Sequence, residues 1–193
     1  MSCRGAVERC GPILTPGRFA RAVFVVALVL AYLGANAIGV YRSVTHVRER
    51  PDVPAAELLL DVGPRWTLVG LLPPLDERGR PRPGVVAGWA DGPDRLVHTV
   101  LKHVSPARAE LAHVLARPSR GEAVAGWGRG GDRASVACVD RTPPDCRVWV
   151  YETRYGQYTE RLLRSSPDGP VEEGEFLALA REVDVRAEYV LRG

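Results

Sequence analysis

Cys146-Arg-Val-Trp-Val-Tyr-Glu-Thr-Arg-Tyr155, then Gly156-Gln157, then Tyr158-Thr-Glu-Arg-Leu-Leu163 is the most decisive stretch of the chain. The first arm is rich in β-branched and aromatic residues, which suit a pleated surface. Gly156-Gln157 supplies a two-residue turn with glycine first, and a turn of that length fixes the register of a hairpin. In that register Tyr155 faces Tyr158, Tyr151 faces Leu162, and Glu152 faces Arg161 as an opposite-charge pair. The soluble part of the chain is therefore expected to be built on antiparallel strands.

Just upstream, Cys138 and Cys146 flank Val-Asp-Arg-Thr-Pro-Pro-Asp. One cysteine ends a strand and the other opens the next. Antiparallel neighbours joined by so short a loop bring their Cα atoms within reach of a disulfide. No C-x-x-C or nearby histidine favours a metal instead, so a Cys138–Cys146 bridge is expected. Cys3 and Cys10 are expected to be free thiols.

Further back, Val86-Ala-Gly-Trp-Ala-Asp-Gly-Pro-Asp-Arg95 recurs as Val124-Ala-Gly-Trp-Gly-Arg-Gly-Gly-Asp-Arg133, with seven of ten positions identical. Each copy runs through Gly and Asp into an apolar stretch, the pattern of a strand–turn–strand unit. Convergent hairpin chemistry and a true duplication both account for it. Gly126-Trp-Gly-Arg-Gly-Gly131 is not read as a phosphate loop, because a strand and not a helix follows it.

Between the copies, Ser105 as N-cap and Pro106 in the first turn begin a helix. Its Leu111, Val114 and Leu115 are expected to face the core and His113 to face solvent. After the decisive hairpin, Ser165-Ser-Pro-Asp-Gly-Pro170 is a turn cluster. From Glu172 onward Phe176, Leu179, Ala180, Val183, Ala187, Val190 and Leu191 recur at helical spacing, with Glu172, Glu173 and Glu175 at the N-terminus where the helix dipole favours them. Pro54 to Leu60 is read as a short helix and Trp66 to Leu72 as a strand. Pro73 to Pro83, with four prolines, is expected to be an exposed loop.

The chain opens differently. Ala22 to Tyr41 carries no charge, and 20 helical residues span roughly 30 Å, the thickness of a bilayer core. Four arginines precede it, at positions 4, 9, 18 and 21, and three follow, at 42, 48 and 50. With the disulfide, this favours an N-terminus inside and a domain outside. The expected organisation is a cytoplasmic tail (1–21), a transmembrane anchor (22–41), a juxtamembrane spacer (42–54) and an extracytoplasmic α+β domain (55–193). In that domain an antiparallel sheet of hairpins packs against the C-terminal amphipathic helix. Ala35-Asn36-Ala37 is an A-x-A pattern, so a cleaved, secreted product beginning near Ile38 is the alternative.

Arginine outnumbers lysine 25 to 1, read here as the codon bias of a GC-rich bacterial genome. The tail carries the whole net charge of +3, and the remaining chain is balanced at 22 basic and 22 acidic residues. A balanced domain lacks the basic surplus that binding phosphate backbones needs, so nucleic acid is excluded as a partner.

Candidate chemistry is sparse. His98 and His103 point to opposite faces of one strand, and His46 lies in the spacer; none converges on a metal or a nucleophile. No cofactor motif is present, and the chain does not read as an enzyme. Trp149, Tyr151, Tyr155 and Tyr158 lie within ten positions. Such a cluster is either cross-strand packing or, if exposed, a platform for an envelope protein or a glycan. The expectation is a membrane-anchored binding or scaffold protein of the cell envelope, with those four as candidate contacts. The rival is an envelope hydrolase whose carboxylates are brought together by the fold.

Overall fold

A computed structural model of the chain describes residues 25–32, 49–115, 122–123, 131–141 and 143–192. It divides into two units, residues 1–43 and 44–193. In the first, residues 25–32 form an exposed helix, α1. Among the described residues no helix is long and apolar enough to cross a membrane. Cys3, Cys10, Ala35-Asn36-Ala37 and both ends of the expected span lie outside the described residues.

The second unit is α+β. Its strands are β1 (Thr67–Leu72), β2 (Gly84–Asp91), β3 (Asp94–Lys102), β4 (Glu122–Ala123), β5 (Arg133–Cys138), β6 (Val148–Tyr155) and β7 (Tyr158–Ser165). They form one antiparallel sheet in the order β1-β2-β3-β7-β6-β5-β4. A 3-10 turn (Ala55–Leu58), helix α2 (Pro106–Leu115) and helix α3 (Glu173–Val190) complete the fold.

The decisive hairpin has the register its turn dictates. Tyr155 pairs with Tyr158, Tyr151 with Leu162 and Glu152 with Arg161. Gly156 sits at φ +56°, a conformation only glycine adopts cheaply. The first repeat copy is the β2–β3 hairpin, turning at Gly92-Pro93 between paired Asp91 and Asp94. The second copy joins β4 to β5, which pair antiparallel; its last residue, Arg133, opens β5, and its residues 124–130 lie outside the described residues.

Strand alternation sorts the sheet into two faces. The inner face presents Ala87 and Trp89 from β2, Leu96 and Val100 from β3, and Trp149 and Tyr151 from β6, all buried. Helix α3 covers it with Phe176, Ala180, Val183 and Ala187, the stripe its spacing predicts. Phe176 stacks on Trp149 with ring centroids 5.7 Å apart, and burying one such side chain contributes about 1.5–3 kcal/mol. The 3-10 turn adds Leu58 to the same layer.

Helix α2 lies on the outer face, against β6 and β7. Ser105 caps it as expected, its Oγ accepting the Arg108 N–H at 3.3 Å. Its orientation reverses the expectation: Ala109, Glu110 and His113 are buried, and Leu111, Val114 and Leu115 are exposed. The cause is Arg154 on β6, itself buried. The Glu110 carboxylate meets Arg154 Nε at 3.0 Å and the Arg133 guanidinium at 3.2 Å. An unpaired buried guanidinium costs several kcal/mol, more than leaving three apolar side chains partly wet. Charge pairing therefore sets the helix rotation, not apolar periodicity.

The stretch expected as a spacer is fastened down at its end. The Arg50 N–H donates to Gln157 Oε1 at 2.9 Å, and Gln157 Nε2 donates back to the Arg50 carbonyl at 2.7 Å. The Tyr158 hydroxyl accepts the Val53 N–H at 2.8 Å, and Lys102 pairs with Asp52. Residues 50–53 thus form a strap across the tip of the β6–β7 hairpin.

Cys138 and Cys146 are bridged, with Cα atoms 5.9 Å apart. Asp140 Oδ1 orders the loop between them by accepting the N–H groups of Arg147 and Val148 at 3.1 and 2.9 Å. Closing so short a loop removes about 2.5 kcal/mol of unfolded-chain entropy. Alkylation without reductant, read by mass spectrometry, should modify Cys3 and Cys10 and spare Cys138 and Cys146. Reduction should lower the urea midpoint by the equivalent of that energy. Labelling of Cys138 in folded protein contradicts the bridge.

Candidate functional site

The four aromatic residues singled out as contacts are fully buried. Trp149 donates its indole N–H to the Val171 carbonyl at 3.1 Å. Tyr151 and Tyr155 both donate hydroxyl protons to Asp184 on α3, and Tyr158 holds the strap. They lie on the inner phase of β6 and β7, under α3, so they are core and not an exposed platform. The physical reason is the alternation itself: in the hairpin register all four fall on one face, and the amphipathic helix claims that face.

Burial raises the Asp184 carboxyl above the ordinary carboxylate range, and the hydrogen bonds from the two phenols pull it partly back. Both tyrosine hydroxyls are pushed up in turn by burial and by the neighbouring acid. The phenols therefore remain neutral donors, and the arrangement ties α3 to the sheet.

His98 and Glu160 also lie on this inner face, diagonal neighbours on β3 and β7, where His98 pairs with Leu162 and Glu160 with Val100. Both side chains are 0% exposed, with Nε2 and Oε2 3.0 Å apart. The Leu60 N–H donates to His98 Nδ1 at 3.1 Å. A ring nitrogen that accepts carries no proton, so the proton sits on Nε2 and is donated to Glu160. Burial raises the Glu160 carboxyl, opposed by His98, and Glu160 Oε1 has no hydrogen-bond partner. The pair is sealed from solvent, so it is a structural device and not a reaction centre. The sequence carried one signal of it: both residues fall in phase with buried apolar neighbours, Leu96 and Val100 on β3, Leu162 on β7.

The outer face offers an open site. A cavity of about 230 Å³ lies between α2 and the sheet, lined by Arg82, Thr99, Ala112, His113, Glu152, Thr159 and Arg161 among others. Glu152 is nearly buried and meets Arg161 Nε at 3.4 Å, the cross-strand pair expected from the register. Burial raises its carboxyl, and Arg161 pulls it partly back. His103 approaches from the end of β3, its Nε2 2.9 Å from Thr159 Oγ1. Burial lowers the pKa of His103, and the charge of Arg82 lowers it further. Among the described residues Arg82 forms no salt bridge, though its charge helps to lower the Asp76 carboxyl in the same loop.

Sequence reasoning found Glu152 and Arg161 as a pair and missed the rest. Arg82 sits in a stretch whose prolines predict only an exposed loop, and the spacing of α2 predicts His113 on its solvent side. No local pattern encodes the rotation that brings them together.

Two other groupings carry no chemistry. Cys138, Asp140 and Cys146 place two sulfurs and a carboxylate within 4.8 Å, but sulfurs bonded to each other offer no thiolate to a metal. Glu152 and Glu160, two acids raised by burial, project to opposite faces of the sheet and cannot flank one bond. Comparison with protein-family models, with curated proteins and with solved structures finds no match to this chain.

Proposed function

We propose that this chain is a membrane-anchored, extracytoplasmic binding module of a bacterial cell envelope. Its ligand site is the outer-face cavity, and its ligand is a small molecule bearing a carboxylate or phosphate. The observation that carries this reading is the cavity's lining. Arg82 and Arg161 line it; of its two acids, Glu152 is engaged by Arg161 and Glu160 is buried against His98 on the other face, and Thr99 and Thr159 add hydroxyl donors. A recess with a few convergent polar groups is the usual form of a small-ligand site. Glu152, whose carboxyl is raised, takes up a proton more readily when an anion approaches and then donates to it.

The anchor reading rests on the uncharged run from Ala22 to Tyr41 and the arginines before it. The disulfide supports an oxidising compartment for the domain. The opposed carboxylates weigh against the hydrolase reading.

Titrating inorganic phosphate and N-acetyl-alanine into the full chain in detergent, followed by amide chemical shifts, tests the site. At least one probe should shift Thr99, Thr159 and Ala112 saturably, with millimolar affinity (about −4 kcal/mol). The response should fall at least tenfold in Arg82→Ala. Unchanged shifts with both probes defeat the ligand class. The anchor is tested separately by N-terminal sequencing of membrane and culture fractions, where a mature chain beginning at Ile38 would replace it with secretion.

A further inference from the structure

One end of the domain gathers features that, Arg82 apart, the proposed ligand site does not use. The strap at Arg50–Val53 lies there, tied to Gln157 and Tyr158 at the β6–β7 tip. The register places Leu72, Lys102 and Tyr158 at that same end, through the pairs Leu72 with Val86, Gly84 with Leu101, and Lys102 with Tyr158. The loop from Pro73 to Pro83 projects beyond it as a narrow extension of the β1–β2 hairpin. Leu75 bridges to Pro81, and the Lys102 N–H donates to the Pro83 carbonyl at 3.0 Å.

This end is apolar where a free surface would be polar. Leu72 is 66% exposed, Leu75 59% and Val104 89%. Around them stand Arg78, Arg80 and Arg82 with Asp76 and Glu77 in the loop, and Lys102 with Asp52 beside it. Asp76 is already engaged: its carboxylate takes the Arg80 guanidinium at 2.8 Å and two backbone N–H groups at 2.9 Å. The loop keeps a net charge of +1. Exposed leucine and valine ringed by arginine are the composition of a surface that rests in lipid headgroups.

The chain itself names the occupant. Eight residues separate Tyr41 from Arg50, a reach of at most about 29 Å when fully extended. A domain whose strap ends so soon after a membrane span stays close to the bilayer, and the strap leaves from the apolar end. We infer that Leu72, Leu75 and Val104, with Arg78 beside them, dock this end of the domain onto the headgroup region of the bilayer. The inference rests on the anchor reading above. Docking turns the end carrying residues 166–170 away from the lipid.

The test uses the full chain in nanodiscs of phosphatidylcholine with and without phosphatidylglycerol, in a Cys3→Ser, Cys10→Ser background. An environment-sensitive fluorophore is placed at Leu75→Cys, at Val104→Cys or, as the distal control, at Asp168→Cys, which is exposed at the opposite end. Lipid-borne nitroxide near the headgroups should quench labels at 75 and 104 several-fold more than the label at 168. Phosphatidylglycerol should widen the gap, and Arg78→Glu should narrow it. Equal quenching at all three positions, in discs that retain the chain through an alkaline wash, overturns the docking and leaves the anchor standing. A chain that washes off the discs overturns the anchor instead, and the docking with it.

Discussion

His98→Ala should cost the domain about 3–5 kcal/mol, the usual result of removing one partner from a buried polar pair. The substitution strips the acceptor from the Leu60 N–H and the donor from Glu160 in one step. It leaves a carboxyl group sealed in the sheet's inner face with neither oxygen satisfied. Urea unfolding measures the loss. A fall of under about 1 kcal/mol, the scale of an ordinary exposed hydrogen bond, would show that water reaches the site. The double variant His98→Leu, Glu160→Leu should recover most of the stability, because apolar pairs of similar volume replace buried polar ones without penalty. It should remain short by about 1–3 kcal/mol for the orphaned Leu60 N–H.

The same pair sets a pH dependence whose sign is fixed by the raised Glu160 carboxyl. A carboxyl raised in the folded state favours folding while it is protonated in both states. That contribution is complete below the unfolded value, about 4.3, and is lost as pH rises through the folded value. Glu152 and Asp184, also raised by burial, act in the same direction. His103, lowered by burial, acts the other way between its folded value and about 6.5; with three acids against one imidazole, stability should decline from mildly acidic pH toward neutrality. Glu160→Gln keeps an acceptor for His98 and removes the charge, so its advantage over the parent should grow with pH. A difference that is flat between pH 5 and pH 8 contradicts the assignment.

How far the sequence carries depends on which force decides each element. The β6–β7 register was legible because a glycine-first turn leaves one pairing, and Glu152 opposite Arg161 followed from it. Helix α3 was legible because its stripe repeats over five turns on an apolar sheet. Helix α2 was not, because Arg154 and Arg133 outbid three apolar residues for its orientation, and they lie more than 20 positions away in sequence. The outer-face cavity inherits that difficulty, since His113 and Ala112 reach it only through the rotation. The strap was hidden for another reason. Much of its grip is backbone N–H and C=O on Gln157 and Tyr158, groups every residue carries, and the Asp52–Lys102 and Arg50–Asp132 pairs join residues 50 or more positions apart, so no local pattern at 50–53 announces it.

Tyr155→Ala and Tyr158→Ala should each destabilise the domain by about 3–5 kcal/mol, the range for removing a large aromatic side chain from a core. Both rings pack with Leu58, Val100 and Ala187 where α3 crosses the end of the sheet. Tyr155 also gives up one of the two hydroxyls that bind Asp184, leaving that acid with Tyr151 alone. If the four aromatics were instead a contact surface, these variants would retain the parent urea midpoint and lose only binding, so the unfolding curve decides between the two. Tyr158→Phe separates the ring from its hydroxyl. It keeps the packing and deletes the acceptor for the Val53 N–H, so it should cost only about 1 kcal/mol. Amide exchange at Val53 should then accelerate by tenfold or more while exchange in β7 stays near the parent rate, because the strap opens locally before the sheet does. Acceleration spread equally over Val53 and β7 would mean that the strap and the sheet unfold as one unit and that Tyr158 holds no separate latch.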